Sequence, residues 1–94
     1  MKKEKLFYSL LNGSYNNISF SDIVGLDEAF GFDFVRKQGS HNIYKHSGIK
    51  ELINLQNYEG KAKPYQIRQF LKLVEKYNLK LGEWNEGLSY KYIL

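Results

Sequence analysis

The spacing of apolar positions changes along the chain, and each change marks an element. Residues 2–11 place Leu6 and Leu10, with Phe7 and Leu11 beside them, on one side at helical spacing, which predicts a short first helix. Asn12-Gly13-Ser14-Tyr15-Asn16-Asn17 reads as a loop by composition. Ser19, with Asp22 three residues later, predicts the cap of a second helix with Phe20, Ile23, Val24, Leu26 and Phe30 on its apolar side. Gly25 weakens that helix by roughly 1 kcal/mol relative to Ala, and Gly31 is a natural stop.

From Phe32 the period shortens. Residues 32–38 predict a strand, Gly39-Ser40 a tight turn and residues 42–46 a second strand. Ser47-Gly48 offers another turn, and residues 51–56 a third strand containing Leu52, Ile53 and Leu55. Such short runs imply an antiparallel meander. The loop 57–63 leads to Pro64, well placed at the first position of a helix, after which Ile67, Phe70, Leu71, Val74, Tyr77 and Leu81 recur at helical spacing. The other side of this helix carries Arg68, Lys72 and Lys76 four residues apart, a basic stripe. Beyond the turn-like Asn85-Glu86-Gly87, Leu88, Tyr90, Tyr92 and Leu94 alternate, and the pattern fits a strand or a segment disordered in the free protein. The expected fold class is α+β: helices packed on one face of a small three-stranded antiparallel sheet. The order resembles the αβββα arrangement of double-stranded-RNA-binding domains, with an extra N-terminal helix. One domain is expected over 1–94, with a core at 19–81, a helical extension at 1–18 and a tail at 82–94.

Composition narrows the function. At 94 residues the chain supports a single thin core, and aromatics at 16% help to fill it while offering surfaces on which bases stack. Cysteine is absent, which excludes disulfides, a thiolate nucleophile and a Cys-based metal site. No apolar run approaches the roughly 18 residues of a membrane span, and the N-terminus is too polar for a signal peptide, so a cytoplasmic location is expected. The net charge of +4 is unevenly spread. Residues 35–80 carry ten bases against three acids, whereas the remainder carries four against seven. A polyanion would therefore bind the middle of the chain, although a solvated basic face has the same composition.

Candidate chemistry centres on two histidines, His41 and His46. Five residues apart on a strand they point to opposite faces, so they form no metal site, and no cofactor is implied. RNA cleavage without metal needs less: its 2′-hydroxyl is a built-in nucleophile, and the enzyme must move protons and stabilise charge on phosphorus. Imidazole suits the proton transfer because it titrates near neutral pH. His41 follows Gly39-Ser40, where a missing side chain admits a phosphate close to the backbone. The residues alone leave His41 open between such a role and that of a turn histidine bonded to nearby backbone. His46 reads as structural or as a peripheral RNA contact, Ser40 as a turn residue, and Tyr44 and Tyr65 as packing residues before base-stacking ones.

The string GFDFVRKQGSHNIYKH is more specific. Gly31-Phe32, Arg36, Gly39-Ser40-His41, Ile43-Tyr44 and His46 resemble the signature of the HicA family, and INLQ and GKAKPYQIRQFLKLVEKYNL resemble its third strand and closing helix, expected over 64–78. The resemblance covers roughly 19–81. It implies a toxin of a type II toxin–antitoxin pair with a double-stranded-RNA-binding-domain-like fold, acting as an mRNA-cleaving endoribonuclease and masked by a HicB-like antitoxin. It also implies that His41 is the catalytic general acid or base. Arg36, Lys37, Gly39, Ser40, Lys45, Lys63, Arg68 and Lys72 are the candidate RNA contacts. The alternative is a non-catalytic RNA-binding module of the same fold, and an adaptor for another protein is a third class. Two positions depart from the family: many members carry a second His where Asn42 stands, and Ser47 replaces the usual Pro of the second turn. The segments outside the core suit extra antitoxin contacts or a weak homodimer.

Overall fold

The computed structural model describes residues 2–82; the expected turn at 85–87 and strand at 88–94 lie outside the described residues. Six elements follow in chain order: α1 (Lys3–Leu11), α2 (Phe20–Ala29), β1 (Asp33–Gln38), β2 (His41–Lys45), β3 (Ile53–Gln56) and α3 (Pro64–Lys76). This is the α+β arrangement read from the sequence.

Two of the three helices, α2 and α3, begin at residues suited to a helix start. The Ser19 hydroxyl accepts from the Asp22 N–H at 3.1 Å, a cap that stabilises by about 1 kcal/mol. Pro64 opens α3, where its missing N–H costs nothing. On α3, Ile67, Phe70, Leu73 and Val74 are buried. Leu71, expected among them, is only half-buried because it turns towards Phe7, Leu11 and Tyr15 beside α1, and Leu73 takes the inward position instead. The helix also ends at Lys76, short of the expected Asn78.

The three strands pair antiparallel in the order β1-β2-β3. Gln38 faces His41 across the first hairpin, so Gly39-Ser40 forms a two-residue turn. Gly39 adopts φ +62°, which favours glycine at the first turn position. β3 is shorter than expected. Glu51 is drawn to the far end of α3, accepting from Lys76 Nζ at 2.8 Å and from the Tyr77 hydroxyl, and Leu52 is left exposed ahead of the strand. The Lys76 and Tyr77 hydrogen bonds hold the Glu51 carboxyl down at about 2.

Tyr44, Ile53 and Leu55 face the helices and join Leu6, Leu10, Ile23, Leu26, Phe30, Phe32, Ile67 and Phe70 in one core. α1 contributes two leucines that are almost wholly enclosed, Leu6 and Leu10. Two backbone bonds, Phe20 N–H to Gly60 O and Ala62 N–H to Ile18 O, both 2.9 Å, stitch the segment entering α2 to the loop before α3. One group disagrees with its surroundings. Asp27 of α2 is fully buried, neither carboxyl oxygen has a hydrogen-bond partner among the described residues, and burial, helped by Glu28, pushes its carboxyl up to about 8.

Candidate functional site

β2 is the central strand, so its alternate side chains enter two different environments. Tyr44 points into the core. His41 and Ile43 have the opposite parity and stand on the face away from the helices. Cross-strand pairing extends that face: Gln38 lies opposite His41 and Arg36 opposite Ile43 on β1, while Gln56 lies opposite His41 and Asn54 opposite Ile43 on β3. The open face thus presents one imidazole, one guanidinium and three side-chain amides around Ile43. His41 is partly exposed there. Its Nδ1 lies 3.1 Å from Oδ1 of Asn54, a diagonal contact across the β2–β3 ladder.

Several ties fix this end of the sheet. The Ser40 carbonyl accepts from the Asn57 N–H and from Asn42 Nδ2, both at 3.2 Å, and Asn42 Nδ2 also donates to the Leu55 carbonyl. Gln66, buried on the first turn of α3, accepts from the Gln56 N–H at 2.7 Å through Oε1. The Gly39-Ser40 turn, the loop 57–63 and the start of α3 therefore gather at the end of the sheet that carries His41. A Cβ added at Gly39 would meet nothing within 4 Å among the described residues, so the turn is uncrowded there.

The candidate contacts divide into groups. Arg36 shares the His41 face. Lys45, two residues beyond Ile43, has the same parity and pairs with Asp33 across the ladder. Gly39 and Ser40 adjoin His41. Lys37 pairs with Asn42 and projects from the other face. Lys63 immediately precedes α3 at the same end of the molecule, with its ammonium 5.0 Å from the centre of the Tyr58 ring. Arg68 and Lys72 line a groove on the helical side with Phe7, Leu11, Tyr15 and Leu71, and the Arg68 guanidinium lies 5.7 Å from the Tyr15 ring centre. Arg68 and Lys72 of the α3 stripe thus lie on the helical side of the sheet, opposite the face that carries His41, and the third member, Lys76, is engaged by Glu51.

His46 is built into the framework. It leaves β2 at once, its Nδ1 accepts from the Gly48 N–H at 2.9 Å, and its ring meets Phe32 edge-on at 5.1 Å. Gly31, at φ +98°, lies directly beneath: a Cβ there would sit 2.9 Å from His46 Nε2. Gly31, Phe32 and His46 are therefore one packing unit. Tyr44 is buried, and burial, with Glu28 and Asp27 nearby, raises its phenol above the ordinary value. Tyr65 is exposed, its hydroxyl accepting weakly from Gln66 Nε2. Sequence reasoning missed Asn54, whose spacing marks only the outward face of β3, and Gln66, whose partner is a backbone group on another element.

The family model described as the HicA toxin of bacterial toxin–antitoxin systems matches residues 20–75. The chain belongs to the HicA toxin family. Comparison with curated proteins and with solved structures gave no match. The matched span runs from α2 to the last turn of α3 and includes both the open-face residues and the Gly31–His46 unit. It begins after α1, so this HicA chain completes its core with a helix outside the matched region. Where many HicA sequences place a second histidine, Asn42 uses its amide to hold the Ser40 turn against β3. Ser47 stands in the turn that His46 and Gly48 close.

Proposed function

We propose that this HicA toxin is a metal-independent endoribonuclease that cleaves mRNA, with His41 as its proton-transfer residue. The observation that carries the reading is the position of His41: a partly exposed imidazole on the open face of the sheet, beside a turn that is uncrowded at Gly39 and on the same face as Arg36. In the step envisaged, the 2′-oxygen of a ribose loses its proton to the imidazole and bonds to the adjacent phosphorus. The bond from phosphorus to the 5′-oxygen of the next nucleotide breaks, and that oxygen takes up a proton. The products are a 2′,3′-cyclic phosphate and a 5′-hydroxyl, with no net gain or loss of protons. Arg36 and Lys45 are assigned to the negative charge on the phosphate, and the backbone at Gly39-Ser40 to its approach. Lys37, Lys63, Arg68 and Lys72 lie off this face and are assigned to phosphates further along the RNA.

The family implies a HicB-like antitoxin as the protein partner, and the proposed mode of inhibition is coverage of the open face. The proposed location is the cytoplasm, where mRNA is found; among the described residues no helix is long and apolar enough to cross a membrane.

The test is cleavage of a defined RNA by purified protein in excess chelator. A positioned acid–base group supplies about 10²–10⁴ in rate, so His41→Ala should reduce cleavage by that factor while the far-UV spectrum stays unchanged. A parent protein that shifts RNA in a gel without cutting it would favour the binding-module reading. A His41→Ala protein that cuts at the parental rate would remove His41 from the chemistry.

A further inference from the structure

A histidine serves as a base through one nitrogen only, and which one depends on where the other proton sits. At His41 the neighbour of Nδ1 is Oδ1 of Asn54, at 3.1 Å. An amide oxygen accepts and cannot donate, so this bond requires a proton on Nδ1. In the neutral ring Nε2 then carries the free lone pair. We propose that Asn54 is a positioning residue that holds His41 as the Nδ1–H tautomer and so makes Nε2 the nitrogen that receives the 2′-hydroxyl proton. This inference rests on the nuclease reading above.

Three features support the assignment. Asn54 is anchored: its chain neighbours Ile53 and Leu55 are almost wholly buried, and its backbone sits in the β2–β3 ladder, so its amide is a rigid reference for the ring. It is uncharged. A carboxylate at that place would repel the phosphodiester that must approach the same face, whereas an amide orients the imidazole without that repulsion. The bond also strengthens as the reaction proceeds. When Nε2 takes the proton the ring becomes cationic, and Nδ1–H···O changes from a neutral to a charge-assisted hydrogen bond. An interaction that is stronger in the transition state than in the resting complex raises kcat and leaves KM alone.

His46 supplies an internal contrast. Its Nδ1 accepts from the Gly48 N–H, so its proton must be on Nε2. The only two histidines of the chain are therefore expected as opposite tautomers.

Long-range ¹H–¹⁵N correlation of the ¹⁵N-labelled full chain, at a pH where the rings are neutral, reads this directly. The expected result is one Nδ1–H pattern, lost in His41→Ala, and one Nε2–H pattern. Asn54→Ala should convert the His41 pattern to Nε2–H, lower kcat for a short oligoribonucleotide by about tenfold, and leave KM within twofold. Asn54→Asp restores an acceptor, so the Nδ1–H pattern should return, and the pH–rate profile should move to higher pH because the carboxylate favours the cationic ring. The inference is overturned if His41 of the parent carries its proton on Nε2, or if Asn54→Ala leaves the Nδ1–H pattern in place, whatever happens to kcat. Full activity of His41→Ala would instead overturn the nuclease reading, and the spectra would still report the tautomer.

Discussion

Replacing Asp27 by Asn should change how stability depends on pH, in a predictable direction. In the unfolded chain this carboxyl ionises near its ordinary value of 3.8, but in the folded protein it keeps its proton up to about 8. Between those values the folded state binds one more proton than the unfolded state, so stability falls as pH rises, by about 1.4 kcal/mol per unit. The contribution is fully present below pH 4 and is lost as pH climbs through the folded value. From pH 5 to pH 7 the loss is roughly 3 kcal/mol, and at pH 7 the accumulated loss is roughly 4 kcal/mol, against about 5–15 kcal/mol for a whole domain. Asn has nearly the same shape, puts an amide oxygen and nitrogen where the two unpartnered oxygens stood, and cannot ionise. Urea unfolding of parent and Asp27→Asn at pH 5, 6 and 7 isolates the effect, because every other titrating group is common to both. The variant should gain on the parent by about 1.4 kcal/mol at each step, read as a shift in midpoint at constant slope. A stability difference that is the same at pH 5 and pH 7 would refute the reasoning.

Further outcomes follow from other sites. Gly31→Ala combines a positive φ with a Cβ 2.9 Å from a ring held in place by Gly48, and should cost about 2–3 kcal/mol or more in urea unfolding. Gly39→Ala meets open space and should cost only about 1 kcal/mol, from backbone strain alone; equal losses at the two glycines would contradict the role given to His46. Leu10→Ala removes a fully enclosed side chain and should cost about 3–5 kcal/mol, whereas a loss below about 1 kcal/mol would mark α1 as peripheral. Arg36→Ala should lower the RNA cleavage rate by about tenfold or more, while Arg68→Ala should chiefly weaken the salt dependence of RNA binding. A larger rate loss at Arg68 would place the cleaved phosphate on the helical side.

Much of the framework was legible because it is local. Ser19, Pro64 and the Gly39-Ser40 turn act within a few residues, and the structure places a cap, a helix start and a hairpin at them. What escaped depends on contacts distant in sequence. Glu51 reads as a strand residue until α3 brings Lys76 and Tyr77 to it. Leu71 fits the apolar side of α3 in isolation, but the groove beside α1 claims it. The link between His41 and Asn54 depends on the β2–β3 register, which neither strand's pattern specifies alone. The Arg68 and Lys72 stripe was visible, yet only the packing of α3 reveals that it faces away from His41. Asp27 did leave a signal. It follows Ile23 by four residues and precedes Phe30 by three, a position on the apolar side of α2 where a carboxylate should have stood out.

The central placement of β2 has a consequence for control. A ring carried on a strand with hydrogen-bonded neighbours on both sides cannot be withdrawn by shifting one loop; removing it means dismantling the sheet. Under the nuclease function proposed above, a toxin built this way is armed once it is folded. Silencing it would then fall to whatever physically blocks the way to the ring, so that under this proposal the stoichiometric supply of that cover, more than any rearrangement of the toxin, would set how much RNA survives.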